Sequence, residues 1–299
     1  MCSIRLSGIS WHSRRKTSCC TFSLGMLDNF CGTNGGSITE QPTQNVCHWD
    51  PTAILSEPYL AAGQGHGCLV LNRNIKSPSH VVKALWQNAS VRCCVDGGTN
   101  KWLNFIRNEL QNDCSIKLPD LITGDFDSIS QETEDYFSSR GVKRIHTPDQ
   151  NNTDFTKAVD VLKPIIREKK LRDIIVLHDT SGRFDQIMSN INTLFTRNDE
   201  FCNIYLLGSC SLTWLLRPGK HSIVIPPHLV EEQRWCSLLP IGHEATSVTT
   251  KGLKWNLKNS PSYFGGLVST SNTYASTHIE IETNSTLVWS MGVFYFGDD

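Results

Sequence analysis

Carboxylates recur in this sequence at one kind of position, just after a short apolar run. Asp96 follows VRCCV and opens Asp96-Gly97-Gly98. Asp125 and Asp127 follow PDLIT within Gly124-Asp125-Phe126-Asp127-Ser128. Asp154 closes Thr147-Pro148-Asp149-Gln150-Asn151-Asn152-Thr153-Asp154, and after DIIVLH come Asp179, Gly182, Arg183 and Asp185. Alternate residues of an extended segment face the same way, so Asp125 and Asp127 can share one target. Taken singly, Asp-Gly is an ordinary turn and an aspartate in a helix's first turn complements its dipole. Several carboxylates on one rim repel each other unless a hard divalent cation sits among them. Such a cation completes its shell with water and substrate phosphates. The chemistry indicated is that of a metal–phosphate site.

Phosphates also need donors. The chain has no Walker A sequence, and Gly63-Gln64-Gly65-His66-Gly67 precedes a strand where a dinucleotide fingerprint would follow one. Ser181-Gly182-Arg183 fits better, at the start of a helix running from Phe184. A helix N-terminus offers free N–H groups, glycine permits close approach and arginine supplies a planar fork. Lys157, one turn into its own helix, is either a second phosphate cation or a solvated lysine.

The elements that must carry these residues alternate. Strands are expected at 68–72, 91–95, 119–123, 142–146 and 173–178. Helices are expected at 79–88, 99–110 and 130–139, and from Asp154 and Phe184. Phe184, Ile187, Met188, Ile191 and Phe195 recur at helical spacing. Pro164 is expected to stop or kink its helix after about three turns. This order implies a mainly parallel sheet covered by helices, with ligands beyond the carboxyl ends of its strands. After residue 203 short β-branched runs take over, GLKWNL, HIEIET and TLVWSM among them. They read as an all-β sandwich or barrel. The fold class expected is thus α/β, an N-terminal parallel-sheet domain over 67–210 followed by an all-β sandwich domain over 211–299.

The 299 residues are 39% hydrophobic and 19% charged, with a formal net charge of -1. No global field recruits nucleic acid or an anionic membrane, and no apolar run reaches a membrane span. The 12 cysteines form no CxxC pair, which fits reduced thiols in a cytoplasmic protein. Residues 1–27 hold Arg5, Arg14, Arg15 and Lys16 with many serines. They suit a mitochondrial transit peptide, a disordered extension, or sequence upstream of a start at Met26. The whole of 1–66 lacks periodicity and reads as a poorly ordered extension.

In order, DGGTN (96–100), PDLITGDFDSI (119–129), TPDQNNTDFTKAV (147–159), SGRFDQIMSNINTLF (181–195), LLRPGKHSI (215–223), VTTKGLKWNL (248–257) and LVSTSNTY (267–274) resemble the thiamin pyrophosphokinase family. The likeness spans about 68–299. It implies transfer of the diphosphate of ATP to the hydroxyl of thiamine, giving thiamine diphosphate and AMP. It also implies Mg2+ as cofactor and a homodimer with sites at the subunit interface. By the resemblance Asp125, Asp127 and Asp154 hold the metal and, with Arg183, carry catalysis, Asp127 or Asp154 accepting the hydroxyl proton. Asp96, Gln150, Thr153, Gly182, Arg183, Asp185 and Gln186 then line the nucleotide and diphosphate region, with Lys157 beside them. Trp255, Ser269, Ser271 and Asn272 hold thiamine, whose cationic thiazolium suits an indole face. One departure stands out. His178-Asp179 replaces the glycines usual before GRFDQ, and it is expected to crowd the phosphate loop or add a metal contact.

Overall fold

A computed structural model describes residues 46–55, 65–197 and 202–294; residues 1–27 and most of the expected extension lie outside them. The first half runs β1 (Val46–Trp49), β2 (His66–Val70), α1 (Ser79–Asn88), β3 (Val91–Val95), α2 (Gly98–Asn108), β4 (Leu121–Gly124), α3 (Gln131–Ser138), β5 (Lys143–His146), α4 (Asp154–Glu168), β6 (Asp173–Leu177) and α5 (Phe184–Arg197). The second half runs β7 (Asn203–Leu207), β8 (Ser211–Leu216), β9 (Gly219–Val224), α6 (Pro227–Glu231), β10 (Trp235–Leu239), β11 (Ala245–Lys251), β12 (Ser260–Ser262), β13 (Ser269–Thr273), β14 (His278–Thr283) and β15 (Leu287–Gly292).

Six strands, in the order β7-β6-β2-β3-β4-β5, form the expected parallel sheet. Alternation decides its two faces. Cys68 and Val70 look toward α1, α2 and α3, where Trp86, Trp102 and Phe137 fill one core. Leu69 and Leu71 look the other way, onto Phe155, Val159, Leu162 and Ile166 of α4. Chain order reverses at β2, which lies between β3 and β6. Such a switch point opens a crevice at the carboxyl ends of the strands.

The β-rich half is the expected sandwich, and one of its two sheets is a continuation of the parallel sheet. Strands β8, β15, β10 and β13 continue the same sheet, turning antiparallel at β7–β8. A second sheet, β1-β9-β14-β11-β12, packs on that continuation around Trp214, Trp289 and Ile281. Strand β14 shows the alternation of a half-covered strand, with Ile279, Ile281 and Thr283 buried and the residues between them exposed. Pro261 lies in β12, an edge strand where its missing donor is tolerated.

Three expectations need correction. Helix α4 does not stop at Pro164 but runs to Glu168, because Ile166 anchors its last turn in the core and Lys169 N–H bonds the Ile165 carbonyl at 2.9 Å. Residues 252–257, read as a strand from GLKWNL, form a loop whose one β-bridge joins Leu253 to Tyr274. Within the stretch read as an extension, β1 pairs in parallel with β9. The Trp49 indole N–H donates to His221 Nδ1 at 3.0 Å, and its ring meets Trp214 and Tyr205. A four-residue strand shows too little periodicity to stand out in Gly- and Asn-rich sequence. Among the described residues no helix is long and apolar enough to cross a membrane, and no disulfide joins the described cysteines.

Candidate active site

Asp96 ends β3 with φ +46, its N–H donating to the Thr123 carbonyl at 2.7 Å. The glycines beside it answer to space. A Cβ at Gly98 would lie 2.4 Å from the Val70 carbonyl oxygen. Close packing of the α2 N-terminus on β2 therefore requires glycine there. Asp96 is buried, and its Oδ1 has no hydrogen-bond partner. Burial pushes its pKa up, partly offset by hydrogen bonds from Gly97 and Ser128.

The loop after β4 carries Asp125 and Asp127 on either side of Phe126, whose φ of +67 is costly for a bulky residue. The Phe126 ring stacks on His146 at 5.7 Å and is capped by the Arg144 guanidinium at 4.3 Å, contacts that offset the strain. Gln150 donates to Asp125 Oδ2 at 3.0 Å and is the first cause holding that carboxyl below its usual range. Asp127 is exposed and accepts from Ser128 Oγ at 2.8 Å.

Thr153 caps α4, its Oγ1 accepting from Thr156 N–H at 3.3 Å. One residue on, Asp154 pairs with Lys157 at 2.8 Å. Lys157 is buried and also donates to the Thr147 and Asp149 carbonyls, each at 2.9 Å. It ties the 147–153 loop to the helix while lining the cavity, so it is not a solvated lysine.

These groups converge. Asp96, Asp125, Asp127, Gln150, Thr153, Asp154, Lys157 and Gln186 line one cavity of about 480 Å³ at the carboxyl ends of the parallel strands. Among the described residues the group of three acids suited to one cation is Asp96, Asp125 and Asp154, with one ligand oxygen each, all within 4.8 Å of one another. Asp127, expected in that set, is outside it because its carboxylate turns to Ser128 on the exposed side of the Phe126 turn. The cavity also holds Asn72, Arg73, Ser189 and Asn190. Asn72 and Arg73 stand at the end of β2, so the rule that found the other strand-end residues applies to them. Ser189 and Asn190 lie one turn beyond Gln186.

Gly182, Arg183 and Asp185 do not line it. Gly182 takes φ +82, and Arg183 forks onto Asp185 with Nε–H donating to Oδ1 at 3.1 Å, both side chains about two-thirds exposed at 67% and 63%. Asp179 neither crowds the cavity nor joins the acidic trio: it pairs with Lys76 at 3.0 Å and accepts from Ser181. His178 is buried with neither ring nitrogen hydrogen-bonded, and burial, aided by the charge of Arg73, lowers its pKa to about 4.

In the β-rich half Trp255 is 56% exposed with Lys254 Nζ 4.8 Å over its ring, Ser271 is exposed at φ +53 and Ser269 is half-buried. Asn272 is buried, and its amide is taken up by backbone. Oδ1 accepts from the Trp255 and Thr273 N–H groups at 3.2 and 2.9 Å, and Nδ2 donates to the Trp255 carbonyl at 2.8 Å. It fixes the Trp255 loop. None of these four residues lines the acidic cavity of the same chain.

An open parallel sheet with an acid-lined cavity at its carboxyl edge, continued into a β-rich half, defines an α/β protein with a candidate metal–phosphate site. The profile described as thiamin pyrophosphokinase, catalytic domain, matches residues 82–206, and that described as thiamin pyrophosphokinase, vitamin B1 binding domain, matches residues 220–288. The chain is 33% identical to thiamine pyrophosphokinase 1 of Oryza sativa subsp. japonica, covering 87% of this chain and 97% of that protein. It is 31% identical to thiamine pyrophosphokinase 1 of Arabidopsis thaliana, over 78% and 88%. The crystal structure of yeast thiamin pyrophosphokinase superposes with a TM-score of 0.72 at 23% identity, covering 85% of this chain and 93% of that one, a likeness of fold. The chain belongs to the thiamin pyrophosphokinase family, and its activity is the one for which the family is named.

Proposed function

We propose that the cavity binds ATP and transfers its terminal diphosphate to the hydroxyl of thiamine, giving thiamine diphosphate and AMP. The observation that carries this reading is the trio Asp96, Asp125 and Asp154 within one strand-end cavity. Its donors are hard oxygens and Asp96 Oδ1 lacks a partner, a set that fits Mg2+ better than a softer ion. These three aspartates would hold the ion, which when bound neutralises phosphate charge. Gln150 keeps Asp125 ionised and Lys157 fixes Asp154. Asp154 is engaged by that lysine, so the exposed Asp127 is the better proton acceptor. The thiamine oxygen bonds to the β-phosphorus as the bond from that phosphorus to the α–β bridging oxygen breaks. AMP leaves with the bridging oxygen, and Asp127 takes the hydroxyl proton.

The β-rich half exposes Trp255, Tyr263, Phe264 and Leu267, a set of large apolar side chains that a partner surface would cover. This supports a homodimer in which Trp255, Ser269 and Ser271 of one protomer bind thiamine against the acidic cavity of its partner. Purified chain incubated with ATP, MgCl2 and thiamine is expected to release AMP and thiamine diphosphate. ADP in place of AMP would identify a kinase adding one phosphate. Full turnover with excess chelator would overturn the metal assignment.

A further inference from the structure

The two cations lining the cavity are Lys157 and Arg73. Lys157 is engaged by Asp154 and two carbonyls. Arg73 stands differently. It follows β2 at the point where the strand order reverses, the place at which an open α/β sheet takes its ligand. Among the described residues no carboxylate pairs with it within 4 Å. Its Nη2 donates only a long bond, 3.4 Å, to the Arg183 carbonyl oxygen, and its Nη1 lies 3.4 Å from where a Cβ at Gly182 would be. The guanidinium therefore rests against the backbone of the 181–183 loop and borders a cavity rich in acid.

The segment that carries Arg73 is pinned on its far side. Lys76 pairs with Asp179 at 3.0 Å and donates to Ser181 Oγ at 3.2 Å, while Ser77 Oγ donates to the Gly208 carbonyl at 2.8 Å within the protein. Asp179 thus serves as an anchor for the loop after β2. Lys76 absorbs its charge, and Arg73 remains the cation without an ionic partner.

We propose that Arg73 binds the polyphosphate of the nucleotide donor, its fork closing on phosphate oxygens opposite the acidic trio and the Lys76–Asp179 pair holding it in place. The assignment rests on the reading of this cavity as a nucleoside triphosphate site. A planar fork at such a site is replaced poorly by a lysine point charge and not at all by an apolar side chain.

The test is calorimetric titration of α,β-methylene-ATP with Mg2+ into wild type, Arg73→Lys and Arg73→Ala, with adenosine as a ligand lacking phosphate. Arg73→Ala is expected to bind the analogue at least tenfold more weakly and Arg73→Lys about threefold or more, while adenosine changes less than twofold in both. Analogue binding by Arg73→Ala within twofold of wild type overturns the proposal. An equal loss of adenosine overturns it too, since that would mean a collapsed loop and not a lost phosphate contact. Wild type that binds no triphosphate overturns the nucleotide reading itself, which separates the two failures.

Discussion

Gly124 and Asp96 lie back to back across neighbouring strands: a Cβ at residue 124 would stand 2.8 Å from the Asp96 Cβ, at a φ of +151. Strain and collision therefore fall on one residue, and the group that must move is an acid of the trio. Gly124→Ala is expected to lower stability by about 1–3 kcal/mol. It should cut kcat more steeply than stability alone explains. Urea denaturation beside steady-state kinetics checks both, and a variant with normal kcat would separate Asp96 from catalysis.

Lys157 joins the 147–153 loop to α4 from inside the protein, so its loss strands a carboxylate and two carbonyls together. Lys157→Met is expected to cost about 3 kcal/mol, the low end for a broken buried pair because Asp154 keeps one side to solvent. If its role were to touch phosphate, stability would hold while KM for ATP rose. Denaturation midpoints and KM for ATP distinguish the two.

The parallel sheet and most of the acidic cavity were legible because each rests on local periodicity and on one rule, that ligands gather at strand ends. The rule reached Asp96, Asp125, Asp154 and Gln150, and applied to β2 it reaches Arg73 as well. What escaped depends on rotamers and pairing. Spacing cannot show that Asp127 turns to Ser128 or that Arg183 folds onto Asp185, nor that Asn272 holds the Trp255 backbone. Continuity of one sheet through both halves is equally hidden, since long-range strand pairing leaves no mark in either strand's own sequence.

Trp49 is the clearest case of that kind. Its hydrogen bond to His221 and its contacts with Trp214 and Tyr205 fasten β1 to the second sheet. Trp49→Ala is expected to destabilise the protein by about 3 kcal/mol. Truncation to Gly67 should do at least as much harm, since it removes the strand with the ring. Thermal melts of both variants suffice, and a truncated protein as stable as wild type would show that β1 is dispensable.

His178 titrates near 4 in the folded protein, against 6.5 in an unfolded chain. Between those values the unfolded state binds a proton that the folded state refuses, so stability falls as pH drops from about 6.5 toward 4. Above 6.5 the group contributes no pH dependence. His178→Leu should flatten the dependence by up to about 1.4 kcal/mol per pH unit in that window. His66 and His221, also lowered by burial, leave a residual slope. Identical slopes in urea melts from pH 4.5 to 6.5 would contradict the burial argument.

Asn272 and Trp255 make a paired prediction, because one shapes the loop and the other is presented by it. The Asn272 amide carries two N–H groups and one carbonyl, so Asn272→Ala leaves buried backbone donors without partners and should cost about 1–3 kcal/mol of stability. Trp255 is mostly exposed, and Trp255→Ala should leave the melting temperature within a few degrees. Thiamine binding should weaken in both variants, by about 1–3 kcal/mol for Trp255→Ala through lost stacking and apolar contact. Affinity for the ATP analogue should hold in Trp255→Ala, whose side chain lies outside the acidic cavity of its own chain. The joint measurement is a melt and two titrations per variant. Thiamine affinity unchanged in Trp255→Ala would move the thiamine site away from this loop, and a full-strength melt for Asn272→Ala would return its amide to the ligand.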